Sequence, residues 1–573
     1  MASSAANATP RQKLAARGLD GVTLLTLPAA LLIMLLFIYP FAYGLYLSFA
    51  PKAGGWLANY IAFFSDPYLY DTIAATLNIS LPVTLVSLIL ALPIAFRVRL
   101  LKRQRLLTTI LVIPITLGTV LVAEGLLNYL GPQGWFNRTL LWLGIISHPI
   151  RLLHNYWGVF ASLLITGFPF TFLLTLSYVS GIDPALEKAA ATLGANARRR
   201  FLHIFLPLLV PGLAINFCLS FVQNFSVFPS AVLLGAPAGE TRVISIAAYQ
   251  AAFEPFDYSM GSAIAIIMGQ YSLPSSWRFW RRGGCFIAAP SAARRGKAMI
   301  RDTTIGARLW AVAVWTLTGF FVLNIAAMMA TVITSSFSTR WLQSWLPQAY
   351  TTRWYISAWR EFQLGDVLLT TFQIVFTVVA LSVLFGVPAA YALARRDFPG
   401  KRLLLLLFLL PLLVPPMTFG IPLATVLYQV GLSGTFWGVV LANLVPSVPF
   451  VVMVLIPFTE QIDPKIEAAA RVFGANTFQL FRHILVPMLT PAVLAALLLV
   501  LVRTIAMFEL TFLTAGPTSQ TLVVALYYSV FAAEVRAVQS IDAMAVIYTA
   551  TTLVWLLIAL RFVNPTQIIG RAH

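Results

Sequence analysis

Residues 183–211, DPALEKAAATLGANARRRFLHIFLPLLVP, and residues 463–491, DPKIEAAARVFGANTFQLFRHILVPMLTP, are one segment written twice, 280 positions apart. Each copy opens on Asp-Pro, an N-cap followed by proline at the first helical position, where its missing N–H is not needed. Alanine-rich sequence of high helix propensity follows. Gly194 and Gly474 then stand where a helix ends on a left-handed residue. The pattern predicts a short helix, a sharp turn, and a second helix that runs into apolar sequence at Pro207 and Pro487.

The surroundings of both copies are apolar. Of 573 residues, 59% are hydrophobic and 10% charged, with a mean hydropathy of +0.86. A water-soluble core cannot hide that much apolar surface, so the chain reads as a polytopic membrane protein. The apolar runs approach the roughly 20 residues that a helix needs to cross the bilayer, and they lack the alternation of barrel strands. Twelve spans are expected, near 23–49, 73–96, 107–130, 156–180, 207–235, 259–280, 309–337, 369–394, 403–429, 437–459, 488–515 and 542–560. The first is too long for a signal peptide and reads as a retained span.

Most of the 38 Lys and Arg fall in loops on the side of the N-terminus, which places that side, and both copies of the repeated segment, in the cytoplasm. The net charge of +19 is therefore a topology signal, and no nucleic-acid partner follows from it. Two cysteines, Cys218 and Cys285, and five scattered histidines give neither a disulfide framework nor a metal-ligand spacing.

The offset of 280 extends well past the loop. Trp157-Gly158-Val159 recurs as Trp437-Gly438-Val439, Pro169-Phe170 as Pro449-Phe450, Phe228 as Phe508, and Pro237 as Pro517. Upstream, Thr76 and Pro93 recur as Thr371 and Pro388 at an offset of 295. Two tandem all-α halves of six spans each, with the same topology, are related by an axis along the membrane normal, which favours a pathway between them. The expected boundaries are a cytoplasmic tail over 1–22, a first domain over 23–280 with its loop at 183–207, and a cytoplasmic linker over 281–306. A second domain follows over 307–563 with its loop at 463–487, then a cytoplasmic tail over 564–573.

The acidic-Ala-Ala helix, its glycine, and Ile204-Phe205-Leu206-Pro207 or Ile484-Leu485-Val486-Pro487 downstream resemble the EAA loop of permease subunits of binding-protein-dependent ABC importers. Two copies in one chain resemble the fused permeases of the ferric-iron, thiamine and polyamine/phosphonate branch. The resemblance implies a type I importer fold in the bacterial inner membrane, with both termini cytoplasmic. It further implies two ATP-binding cassette subunits inside and a periplasmic substrate-binding protein outside. Coupling to the ATPases would then rest on Asp183, Glu187, Ala190, Gly194, Ala195 and Pro207, and on Asp463, Glu467, Ala470, Gly474, Ala475 and Pro487. One departure stands out: Glu187 and Glu467 lie seven residues before the glycine instead of six, with Lys188 and Ala468 at the usual place.

The chain has no GxxxxGK[ST] stretch, so ATP and Mg are expected on the partner subunits, with no enzyme activity and no cofactor here. The cargo expected from the resemblance is ferric iron or a small polar or charged solute such as thiamine, a polyamine or an aminoalkylphosphonate. The alternative class is a twelve-helix ion-coupled secondary transporter, which leaves the repeated loop without a purpose.

Ionisable residues at membrane depth cost of order 2.5 to 3.5 kcal/mol on insertion scales and so tend to face a bundle interior or an aqueous path. Glu124, Arg503 and Glu509 are of this kind, and the first-half stretch equivalent to the last two offers Gln223, Asn224 and Ser226. All six are candidate pathway residues, although such groups also serve as hydrogen bonds between helices. On one continuous helix Arg503 and Glu509 would be about 240° apart and could not share a face.

The sixth span contradicts its own repeat: after Gly269 it reads QYSLPSSWRFWRRGGCFIAAP, with proline, serines and arginines where apolar sequence should continue. A shifted reading frame through 270–295 would restore an apolar span, and the chain as written is expected to break near Pro274.

Overall fold

The computed structural model describes residues 20–99, 101, 104–272, 305–341, 344–532 and 536–562. The linker, most of the stretch suspected of a shifted frame, and the expected break at Pro274 lie outside them. Among the described residues nine helices are long and apolar enough to cross a membrane, ten if one bent pair is counted as a span.

The first half is built from α1 (Thr23–Ser48), α2 (Pro67–Val98), α3 (Gln104–Leu130), α4 (Tyr156–Ser180), the short α5 (Pro184–Thr192) and α6 (Arg198–Phe225). Three shorter helices close it: α7 (Pro229–Leu234), α8 (Ile244–Phe253) and α9 (Tyr258–Ser272). The second half repeats the order with α10 (Ile305–Ser336), α11 (Leu364–Arg395), α12 (Lys401–Leu413), α13 (Pro416–Gln429), α14 (Phe436–Glu460) and α15 (Pro464–Val472). It ends with α16 (Arg482–Ile505), α17 (Glu509–Thr514), α18 (Leu522–Phe531) and α19 (Val538–Phe562).

Several expected spans are not continuous, for identifiable backbone reasons. The one expected over 403–429 is split at Val414-Pro415, and its two parts meet at 98°. Its counterpart α3 is interrupted at Gly118, whose φ of 73° only glycine adopts freely. The spans expected over 207–235 and 488–515 stop at Phe225 and Ile505, and short helices start after a break. Helix α9 is described over 15 residues, to Ser272, and the rest of the span expected over 259–280 lies outside the described residues.

The halves are interlocked through their first spans. Helix α1 packs on α9 of its own half and reaches α11 and α13 of the second, while α10 packs on α19 and reaches α2 and α3 of the first. Close approach is bought with one glycine in each contact, and on opposite partners. A Cβ on Gly44 of α1 would lie 2.5 Å from the Pro422 side chain of α13, and one on Gly125 of α3 would lie 2.8 Å from Met328 of α10. Phe228 of the first half stacks on Phe508 of the second with ring centroids 6.3 Å apart. These are the same residue of the repeat, and two copies of one residue touch only beside the axis that relates them. Phe512, at 5.5 Å from Phe228 and 5.2 Å from Tyr249, completes an aromatic plug there.

Candidate coupling surface and pathway

The two repeated loops fold alike, hydrogen bond by hydrogen bond. Asp183 caps α5 by accepting from the Ala185 N–H at 2.8 Å, and Asp463 caps α15 by accepting from Lys465 at 2.9 Å. At the other end Ala195 N–H donates to the Ala190 carbonyl and Gly194 N–H to that of Ala191, both at 3.0 Å. Ala475 and Gly474 make the same pair of bonds to Ala470 and Arg471. This crossed pair requires a left-handed residue, which Gly194 supplies at φ 79° and Gly474 at φ 85°. Asn196 and Asn476 then cap the next helix by accepting from Arg199 and Gln479. Five π-helical residues, Phe201–Phe205 and Phe481–Leu485, lead to Pro207 and Pro487, both exposed on the outer surface of the bundle.

The shifted glutamates have an unexpected destination. Glu187 and Glu467 are only 5% and 8% exposed and point into the body of the helix bundle. Glu467 pairs with Arg395 at 2.7 Å and accepts from the Tyr391 hydroxyl at 2.8 Å. Glu187 lies between Arg99 and Arg200, 3.9 Å from each. The arginine in each half also donates to a carbonyl near the end of the fourth span, Arg99 to Val179 at 3.0 Å and Arg395 to Ile462 at 2.7 Å. One side chain thus ties the second span, the fourth span and the loop together. Burial pushes the Arg99 guanidinium down to about 10, and the Glu187 carboxylate opposes that fall. Stacking over Phe96 and Phe205 at 4.7 and 5.0 Å holds the guanidinium in place.

With the carboxylates turned inward, the tips of α5 and α15 present apolar side chains to the outside. Leu193 is 88% exposed, Val472 85% and Phe473 90%, with Leu186 and Ile466 exposed behind them. Both helices follow the end of a span, α4 or α14, so the crest lies outside the spans themselves.

The six candidate pathway residues separate. Asn224 is buried and its amide donates to Thr84 at 3.0 Å, so it joins α6 to α2. Ser226 is buried with its hydroxyl unpaired. Glu124 is buried at the contact between halves, where Asn128 donates to it at 3.0 Å and to Asp542 of α19 at 2.8 Å, and Ser335 of α10 donates to Asp542 at 2.5 Å. Gln223, in contrast, is exposed, and its repeat equivalent Arg503 and the nearby Glu509 are half-buried. The break at Ala506–Phe508 places Arg503 and Glu509 on different helices, so the 240° separation of a continuous helix does not apply. Even so, no ion pair within 4 Å joins them.

Sequence reasoning passed over Arg99, Arg395, Tyr391 and Asp542. The signal for the first three was their place near the ends of two equivalent spans, with Arg99 and Arg395 296 positions apart, one off the offset of 295 that the spans keep.

The chain belongs to the family of binding-protein-dependent transport system inner membrane components, whose signature matches residues 83–275 and again 382–566. It is accordingly a two-repeat permease of an ABC importer, and the alternative of an ion-coupled secondary transporter has no support. The chain is similar to the ferric transport system permease protein FbpB of Actinobacillus pleuropneumoniae, 24% identical over 80% of this chain and 65% of that one. It is also similar to FbpB 1 of Haemophilus influenzae, 24% identical over 81% of this chain and 73% of that one. The spermidine/putrescine permease PotB of Escherichia coli matches at 29% identity over 38% of this chain and 78% of its own length. Among solved structures, a bacterial alginate ABC transporter in complex with a periplasmic protein superposes with a TM-score of 0.41, at 23% identity over 45% of this chain and 92% of that one.

Proposed function

We propose that the chain transmits the closure of two ATPase subunits to the pathway through α5 and α15, and that ATP and Mg are bound only by those partners. The observation that carries this is the exposed crest of Leu193, Val472 and Phe473 on two loops folded alike. An apolar helix tip in an aqueous compartment fits a groove on a partner, and two tips suit two ATPase copies. The inward-turned glutamates support the same reading, because they fasten each tip to two spans and so make it a rigid lever. The chain sits in the bacterial inner membrane with both termini cytoplasmic, and a periplasmic substrate-binding protein delivers cargo from outside. Residues 23–280 and 307–563 form the two domains, joined by a cytoplasmic linker over 281–306. The cargo is ferric iron or a small polar or charged solute.

Cysteines placed at Leu193 and Phe473, with Cys218 and Cys285 replaced by serine, test the proposal in the assembled importer. Cross-linking of both positions to the ATPase subunits is expected, strengthened when nucleotide closes them. An intact complex in which neither position cross-links overturns it.

A further inference from the structure

Several amide and hydroxyl side chains in the centre of this bundle find protein partners, while small hydroxyls such as those of Ser226 and Thr504 are buried without one. Asn443 donates to Thr511 at 3.1 Å, Asn216 to Thr175 at 2.9 Å, and Ser162 bonds Ser230 at 2.8 Å. Arg503 and Glu509 are exceptions that carry full charges. Neither makes a hydrogen bond to another side chain or an ion pair within 4 Å among the described residues, and the Glu509 carboxylate is met by its own backbone N–H. The Arg503 guanidinium carbon stands over Phe450, 5.3 Å from the ring centroid. Glu509 is the acidic group whose field acts on it.

Their position is specific. Arg503 stands on the last turn of α16 and Glu509 opens α17, so both flank the break that carries Phe508. Phe508 stacks on Phe228 beside the axis between the halves. The residue equivalent to Arg503 in the first half is Gln223, neutral and exposed, and the one equivalent to Glu509 is Pro229. A cation and an anion, neither paired with another side chain within 4 Å, therefore flank the break beside the aromatic plug on one side only. A charge kept at membrane depth without a protein partner points to a partner that comes and goes.

We propose that Arg503 and Glu509 contact the cargo as it passes the plug, and that the cargo at this point carries both an oxoanion group and a cationic group. The oxoanion meets the guanidinium edge, whose fork of donors matches two oxygens, and the cationic group faces the Glu509 carboxylate. A bare metal cation or a polyamine would meet an unscreened like charge at Arg503 and is disfavoured. This inference rests on the permease reading and narrows its cargo class.

The test is ligand-induced thermal stabilisation of the purified full chain in lipid nanodiscs, without ATPases, so that it is independent of coupling. Three matched probes are 2-aminoethylphosphonate, ethylphosphonate and ethylenediamine. The first should stabilise the wild-type chain, the second less, and the third not at all. Arg503→Gln and Glu509→Gln should each weaken the first probe roughly tenfold or more, the order of one charge-assisted hydrogen bond, while Arg503→Lys retains part of the effect. The melting temperatures of the unliganded variants reveal any misfolding separately. Stabilisation by ethylenediamine, an unchanged response in Arg503→Gln, or no response of the wild-type chain to the double-charged probe overturns the proposal. The permease reading would survive that outcome, since it stands or falls with the cross-links of Leu193 and Phe473.

Discussion

Replacing Arg395 by alanine should uncouple ATP hydrolysis from uptake more severely than the same change at Arg99. Both arginines fasten a loop helix that we propose to be a coupling helix, α5 or α15, but their geometry differs. Among the described residues Arg395 is the arginine paired with Glu467, at 2.7 Å, and both side chains are about nine-tenths buried. Its removal leaves a buried carboxylate with the Tyr391 hydroxyl, and breaking such a pair costs about 3–5 kcal/mol. The Tyr391 bond places the expected cost at the lower end, about 3 kcal/mol, so the fastened state of α15 loses a factor of roughly 150 against its detached states. Glu187, by contrast, is shared between Arg99 and Arg200 at 3.9 Å each. Arg99→Ala leaves one cation in place and should cost about 1.5 kcal/mol, the scale of one charged hydrogen bond, or roughly tenfold. The assay is solute imported per ATP hydrolysed in proteoliposomes holding the complete importer. The ratio should fall sharply in Arg395→Ala, modestly in Arg99→Ala, and recover in part in Arg395→Lys. Normal coupling in Arg395→Ala, or a larger loss in Arg99→Ala, would refute the idea that these glutamates act as fasteners.

Three further outcomes follow from single positions. Gly194→Val and Gly474→Val should each lower the import-to-ATP ratio through backbone strain alone, about 1–2 kcal/mol, because no atom lies within 4 Å of the new Cβ; Asn at either position should be tolerated, which the same assay checks. Gly44→Leu should lower the melting temperature of the purified chain more than Gly125→Leu, since the first collides with the ring of Pro422 and the second with the flexible side chain of Met328; overpacking of this kind costs about 1–3 kcal/mol. Asp542→Ala should destabilise the contact between halves by about 1–3 kcal/mol for each buried group left unsatisfied, Ser335 and Asn128 foremost, whereas Asp542→Asn should melt close to wild type.

The loops were legible because they are governed by local rules. An Asp-Pro start and a glycine at the stop act within a few residues, and the structure realises both in each copy. The repeat was legible too, since identical residues at one offset require no knowledge of contacts. What escaped was set by tertiary geometry. Pro114 and Gly118 in α3, Pro411 in α12, and Pro415 between α12 and α13 are visible as helix breakers in the sequence, but apolar runs of spanning length outweighed them. In a membrane interior a broken helix is tolerated only where neighbours satisfy the freed backbone groups, and those neighbours are other spans. The turn of Glu187 and Glu467 away from the surface escaped for a related reason: their partners lie far away in sequence, at the ends of α2 and α11. The shift by one residue was the one local sign that these carboxylates face elsewhere.

The places where the halves differ are as informative as those where they agree. The turns, caps and π-helical residues of the two loops are duplicated, which suits a pair of identical partners. The charged residues beside the plug are not duplicated: Arg503 answers to Gln223, and Glu509 to Pro229. In a permease assembled from two identical chains, any arginine near the axis would stand opposite a second one, and like charges repel strongly where water is scarce. Joining the halves in one chain removes that constraint. The surface proposed to meet the ATPases keeps its two-fold symmetry, while the surface proposed to meet an asymmetric solute is free to place one cation and one anion on a single side.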